Sequence, residues 1–254
     1  MSLTLLPLAY KAVVLDIEGT VCPISFVKDE LFPYFVSELP SILSEYKFPL
    51  ESSTTQHGSE LIYDILIQFP ASVTQSQELL LDHIQKLVKN DVKDPVLKQL
   101  QGFIWEKGYT SGSITAPLFP DAIEAIYKWT SLLGGVYIYS SGSVKAQKLL
   151  FGNVCTYTSD GKVKSEDLNH CCIDYFDTVN IGSKVDVASY NKILQQIPVK
   201  EKKQVLFLSD NPLEVEAALK SGMSSYIVVK PGNYELNEDE NKKYEIIRDF
   251  GSLF

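Results

Sequence analysis

The stretch Val13-Val14-Leu15-Asp16-Ile17-Glu18-Gly19-Thr20 decides how this chain is read. A short aliphatic run ends in a carboxylate, and a second carboxylate follows two residues later. Such a run, bounded by turn residues, reads as a buried strand. Strand ends are where an open α/β sheet presents its reactive groups. A carboxylate there can attack phosphorus and be released from the aspartyl-phosphate by water. It can also hold Mg2+, a hard cation that takes oxygen ligands and keeps some of its waters. Residues i and i+2 of an extended segment point the same way. Asp16 and Glu18 can therefore share one pocket, with Asp16 as nucleophile. Glu18 would protonate the leaving oxygen and later take a proton from water. Taken alone, an aspartate ending a strand before a turn is ordinary turn chemistry.

Outward from this stretch, three more polar residues follow apolar runs: Ser140, Lys184 and Asp210. The strand Val136-Tyr137-Ile138-Tyr139 ends at Ser140, and Ser141-Gly142-Ser143 opens a helix. Hydroxyls and free amides at a helix N-terminus make a phosphate cradle, although a plain serine-rich cap has the same pattern. Val179 to Ile181 reads as a short strand. After it, Ser183 with Asp186 three residues on resembles a capping box. That places Lys184 at the first helical position, where a lysine opposes the helix dipole unless an anion lies nearby. The run from Val205 to Ser209 leads into Asp210, and Asn211-Pro212 starts a helix at once. Asp210 read locally is a helix N-cap.

The periodicity changes in blocks. Ala12 to Leu15 is a strand. From about Cys22 to Ala116 the pattern is helical, with Phe26, Val27, Leu31, Phe35, Val36 and Leu39 on one face and a kink at Pro33. Thr74, with Gln77 three residues on, is a candidate N-cap. Asp94-Pro95 opens a further helix as N-cap and first helical residue, with Gly108 near its end. After Pro120, strands and helices alternate, closing with a strand at Ser225 to Val229, which argues for a parallel sheet with right-handed crossovers. The expected organisation is an α/β core of residues 1–21 and 117–254, with a helical cap of residues 22–116 inserted after the first strand. Tyr34, Phe35, Trp105 and Tyr109 of the cap are candidates for the wall of an apolar pocket.

The ordered set resembles the haloacid dehalogenase (HAD) superfamily, and within it the enolase-phosphatase E1 (acireductone synthase) family. The likeness is carried by Asp16-Ile17-Glu18-Gly19-Thr20 and Pro23-Ile24-Ser25-Phe26-Val27. It continues through Tyr137-Ile138-Tyr139-Ser140-Ser141-Gly142-Ser143, Ala146-Gln147-Lys148-Leu149-Leu150-Phe151, Leu100-Gln101-Gly102 and Leu118-Phe119-Pro120-Asp121. It runs through nearly the whole chain. The resemblance implies a HAD-like Rossmannoid core with a helical cap, and one Mg2+ per chain held by Asp16, Asp210 and the backbone carbonyl of Glu18. It implies that Ser140 and Ser141 bind phosphate, and that Lys184 neutralises the phosphoryl group and Asp16 together. Glu214 would be the acid behind them, holding metal-bound water or Lys184. The implied substrate is 2,3-diketo-5-methylthiopentyl-1-phosphate of methionine salvage. Glutamate at position 18, where the superfamily usually carries aspartate, matches the E1 pattern. Two other readings stay open: a capped phosphatase for another small phosphate ester, and a catalytically silent domain that uses the fold for binding.

The composition narrows the partners. Among 254 residues, 32 Asp and Glu outweigh 23 Lys and Arg, a net charge of −9. Such a chain offers nothing to replace the counterions of a nucleic acid backbone, whereas a single lysine or Mg2+ can reverse the field locally for a small phosphate ester. The apolar N-terminal stretch is short and interrupted by Lys11, so neither a signal peptide nor a membrane span is expected. The cysteines at 22, 155, 171 and 172 show no framework spacing and read as reduced cytosolic thiols. Consecutive His170-Cys171-Cys172 cannot converge on one metal ion. A cytoplasmic monomer is expected, with the nucleus left open as a second location.

Overall fold

The computed structural model describes residues 10–50, 60–157, 161 and 163–254. It divides into two compact units. One holds the chain through Phe26 together with Thr115–Phe254; the other is Val27–Ile114.

The larger unit is built on a six-stranded sheet. Its strands are β1 (Ala12–Leu15), β2 (Val136–Ser140), β5 (Cys172–Asp177), β6 (Val205–Ser209), β7 (Ser224–Val228) and β8 (Ile246–Ile247). Between β2 and β5 lies a small antiparallel hairpin of β3 (Val154–Tyr157) and β4 (Val163–Glu166). The sheet order is β5-β2-β1-β6-β7-β8, and every neighbouring pair is parallel. Strands β1, β2 and β6 are buried along their whole length, as befits near-continuous apolar runs in a sheet covered on both faces. The chain passes from β1 to β2 on one side, and β6 returns on the other. That reversal makes the carboxyl end of β1 the switch point at which open α/β sheets bind ligands.

Register places the reactive residues. Leu15 pairs with Ile138 on one side and with Leu208 on the other, so Asp16 emerges beside the ends of β2 and β6. Ser140 pairs with Asp177 at the end of β5. Helices Pro120–Leu133 and Pro212–Ser221 open on prolines and close on Gly134 and Gly222. This is the usual proline-first, glycine-last asymmetry.

The smaller unit is helical. A π-helical turn, Val27–Leu31, leads into Phe32–Leu43, followed by Glu60–Leu66, Gln77–Lys89 and Pro95–Ser111. Phe35, Leu39, Leu43, Leu66, Leu80 and Leu100 form its fully buried centre.

The structure revises several local expectations. Pro33 opens the helix Phe32–Leu43 rather than kinking it, because the first helical positions need no N–H partner; Pro40 is the proline inside. Ser76, not Thr74, caps Gln77–Lys89, accepting from the Leu79 N–H, while Thr74 donates back to Ala71. Asp94 does cap the helix Pro95–Ser111, but Gly112 closes it. Gly108 is internal, where a Cβ would lie 2.7 Å from Tyr34. Val179–Ile181 is not a strand; the sheet uses Cys172–Asp177 instead. Lys184 is not helical, because that helix begins at Val187 behind Asp186. The four aromatic candidates of the helical unit serve its own packing. Phe35 and Tyr109 are buried, Tyr34 lies against Gly108, and Trp105 stacks on Phe32 while donating to the Leu31 carbonyl.

Candidate active site

At the carboxyl end of the sheet lies a cavity of about 400 Å3, lined within the larger unit. That is the size of a small-molecule site. Asp16, Glu18, Ser140, Ser141, Lys184, Asp210 and Glu214, all singled out from sequence, line it together.

Lys184 is the hub. Its Nζ lies 2.5 Å from Asp16 Oδ1 and 2.7 Å from Glu214 Oε2, and all three side chains are about nine-tenths buried. Burial pulls a lysine down, but here the Asp16 and Glu214 carboxylates more than reverse that and hold the ammonium above its ordinary range. The lysine reaches the site from an irregular segment, and that segment is tied at each step. Tyr139 Oη donates to the Gly182 carbonyl at 2.8 Å, Lys192 to Ile181 at 2.8 Å, and Tyr190 to the carbonyl of Lys184 itself at 2.6 Å. These bonds do the work that a helix was expected to do.

The acids outnumber the base. Glu214 is pushed up by burial and by Asp16, with Lys184 opposing. Asp210 is pushed up to about 7 by burial and by the charges of Asp16 and Glu214. A buried excess of carboxylate, made of hard oxygen donors, is the setting a divalent cation relieves. No three His, Cys, Asp or Glu side chains among the described residues gather to hold a metal by themselves. Asp16 and Asp210 both line this cavity together with Glu18, and two carboxylates with a backbone carbonyl are hard oxygen donors of the kind that would suit Mg2+. Gly19 supports this fit. Its φ is +73°, and a Cβ there would lie 2.3 Å from Asp210 Oδ2, so only glycine leaves room for that carboxylate beside the Asp16 segment.

Asp210 yields a pH-dependent expectation. Its folded value lies above its ordinary one. Without a cation, its stabilising contribution is present below about pH 4 and is lost as pH rises toward about 7. Bound Mg2+ must displace that proton below about pH 7, so its affinity should fall by roughly thirtyfold between about pH 8 and pH 5.5. Thermal melts should then show a larger Mg2+-induced rise in Tm at about pH 8 than at about pH 5.5. Equal shifts at both pH values would remove Asp210 from the metal shell.

Ser140 is buried at the end of β2, and its Oγ accepts from the Gly142 N–H at 3.2 Å. Ser143 caps the following helix. Asp177 accepts from the Val144 N–H, and Gln147 donates to the carbonyls of Gly142 and Phe176. The turn carrying Ser140 and Ser141 is thus fixed from both sides, as a phosphate cradle requires.

Three positions that sequence reasoning left without a role hold the site together. Ser209 Oγ donates to Glu214 at 2.8 Å, lies 3.2 Å from Asp16 Oδ2, and accepts from the Asn211 N–H. Thr20 is fully buried and accepts from the Asp210 N–H at 3.0 Å, joining the first segment to the end of β6. Asn233 donates to the Gly19 carbonyl at 2.8 Å and to the Val228 carbonyl at 3.3 Å. Ser209 adjoins Asp210 and Thr20 ends the quoted stretch. Asn233 falls in a turn beyond a strand end, the one cue the sequence offered for it.

Comparison with known proteins agrees with this geometry. The haloacid dehalogenase-like hydrolase family matches residues 10–222. The chain is 50% identical over 248 residues to enolase-phosphatase E1 of Scheffersomyces stipitis, covering 97% of this chain and 100% of that protein. The crystal structure of the Unknown transcript 4 protein of Saccharomyces cerevisiae superposes with a TM-score of 0.79 at 43% identity, over 94% of this chain and 98% of that one. A dehalogenase in an intermediate complex, 17% identical with a TM-score of 0.52 over 96% of each chain, shares the fold.

Proposed function

The chain belongs to the haloacid dehalogenase-like hydrolases and, among them, to the enolase-phosphatase E1 proteins, and from that premise we propose that it is a Mg2+-dependent enolase-phosphatase of methionine salvage. Its substrate is 2,3-diketo-5-methylthiopentyl-1-phosphate, and its products are 1,2-dihydroxy-3-keto-5-methylthiopentene and phosphate. The observation that carries the reading is the Lys184 ammonium set between Asp16 and Glu214 at the switch point of the sheet. A buried lysine charged in that way costs desolvation in a resting protein and is put to use when a phosphoryl group arrives.

The chemistry assigned to each residue is as follows. A proton leaves C1, alpha to the C2 ketone, and the C2 oxygen takes one up to give the enol phosphate. An Asp16 carboxylate oxygen then bonds to phosphorus as the bond from phosphorus to the C1 oxygen breaks. Glu18 gives its proton to that leaving oxygen. Glu18 next takes a proton from the water that attacks phosphorus, which frees phosphate and restores the Asp16 carboxylate. Lys184, Ser140 and Ser141 hold the phosphoryl oxygens throughout. Bound Mg2+, held by Asp16, Asp210 and the Glu18 carbonyl, supplies charge stabilisation on those oxygens. The helical unit, Val27–Ile114, serves as the cap.

Glu18 also lies within reach of the C1 proton in this scheme, one bond from the oxygen it serves. Glu18→Asp withdraws the acid by roughly 1.5 Å, and a misplacement near 1 Å costs about a hundredfold in rate. If Glu18 serves both steps, enol formation and phosphate release slow together. Enol phosphate accumulating at the wild-type rate would confine Glu18 to the phosphatase step. Ultraviolet absorbance of the conjugated enol, read against released phosphate in one tube, separates the two.

A further inference from the structure

The cavity has further lining residues to which the proposed reaction gives no role. The segment after β7 contributes Tyr234, Glu235, Leu236 and Glu240 to the same cavity that holds Asp16 and Lys184. Asn233 fastens this segment to the Gly19 carbonyl, three residues from the nucleophile, so its position is set relative to the reacting atoms. Leu236 is half-buried against a cluster of Val215, Ile227 and Tyr244. Tyr234 is 86% exposed. The Tyr234 ring contributes little to the core, and its place in the cavity lining lets it meet a ligand.

Charge defines what that contact admits. Of the described residues lining the cavity, six are carboxylates and one, Lys184, is a cation. Glu235 and Glu240, from the segment after β7, add negative charge to the lining. A substrate whose second end is anionic meets like charge there without a partner, whereas a neutral apolar end meets the Tyr234 ring and the Leu236 side chain.

We propose that Tyr234 and Leu236 are specificity-determining residues that recognise a neutral, apolar group on the far end of the phosphate ester, with Glu235 rejecting esters that carry a second anion. The inference rests on the reading of this site as one for phosphate esters, and its residues all lie in the larger unit.

The test is calorimetric binding of phosphonates to the whole protein with Mg2+ present, which does not depend on turnover. Pentylphosphonate should bind at least about tenfold more tightly than methylphosphonate, since each methylene buried in an apolar pocket is worth roughly tenfold or more and a rim buries only some of them. Tyr234→Ala should cut that preference to about threefold while leaving methylphosphonate binding unchanged, and Tyr234→Phe should restore it. Tyr234 is exposed, so its replacement leaves the fold intact; Leu236→Ala should act in the same direction. 3-Phosphonopropionate should bind more weakly than pentylphosphonate, and Glu235→Gln should narrow that gap. Equal affinity for the methyl and pentyl compounds, or a preference untouched by Tyr234→Ala, would overturn the proposal while leaving the phosphate site standing. Failure of every phosphonate to bind would overturn the phosphate-ester reading and this inference with it.

Discussion

Asp16→Asn should abolish phosphate release and leave the protein folded. The exchange is nearly isosteric. Asparagine keeps an oxygen to accept from Lys184, which now donates to Asp16 Oδ1 at 2.5 Å, and it relieves part of the repulsion among the buried carboxylates. What it removes, on the proposed scheme, is the nucleophile and one anionic ligand. Losing a covalent nucleophile lowers turnover by at least about 10^4-fold. The measurement is phosphate release by the purified variant at saturating Mg2+, with a thermal melt to show that it is folded. Near-normal release by a folded variant would remove the aspartyl-phosphate from the scheme.

Lys184→Met should be costly twice over. The ammonium sits between Asp16 and Glu214, with side chains of 9%, 7% and 10% exposure. Removing one partner of a buried charge set strands the others, a penalty of about 3–5 kcal/mol. Urea unfolding followed by circular dichroism should show a clearly lower midpoint at neutral pH. Catalysis should also fall, by about 10^2 to 10^3-fold or more, because a preorganised cation no longer faces the phosphoryl oxygens. Lys184→Arg should not rescue, since a planar guanidinium cannot take the place of a compact ammonium between two carboxylates. An unchanged unfolding midpoint in Lys184→Met would mean that the charges at this site do not depend on one another as the geometry implies.

These two residues also show how far the sequence could be read. Asp16, Ser140 and Asp210 were legible because each ends a fully apolar run, and central strands of a parallel sheet leave that trace. Lys184 was singled out locally from a strand and a helix start that the structure does not have, and its role came from family resemblance. The strand that precedes it, Cys172–Asp177, lies at the sheet edge with Ile173 and Asp174 exposed, so its pattern mixes polar and apolar residues. The more apolar Val179–Ile181 imitated a strand, yet Val179 is 89% exposed, and Gly182 at φ +128° turns the chain away from extended geometry. The hairpin β3–β4 passed unnoticed for a similar reason: three of the four residues of β4 are exposed, so no apolar face records it.

The helical unit was visible from its periodicity, and so was the start at Asp94-Pro95, but the start of Gln77–Lys89 was not. Thr74 and Ser76 are equally good cap residues by type, and only the fold chooses Ser76. Asn233 marks the limit most clearly. Its bond joins it to a carbonyl 214 residues earlier in the chain, and one such bond leaves no periodic or compositional mark.

The central claim is that one cavity first enolises and then dephosphorylates a diketone phosphate. It is tested most directly by incubating the protein with 2,3-diketo-5-methylthiopentyl-1-phosphate and Mg2+. Ultraviolet absorbance of the conjugated enol and released phosphate are followed in the same tube, with phenyl phosphate and phosphoglycolate as controls. The account predicts enol absorbance that precedes or accompanies phosphate, one phosphate per diketone consumed, loss of both signals on chelation with EDTA, and a strong preference over both controls. Phosphate release without the enol, or equal rates on all three esters, would contradict it.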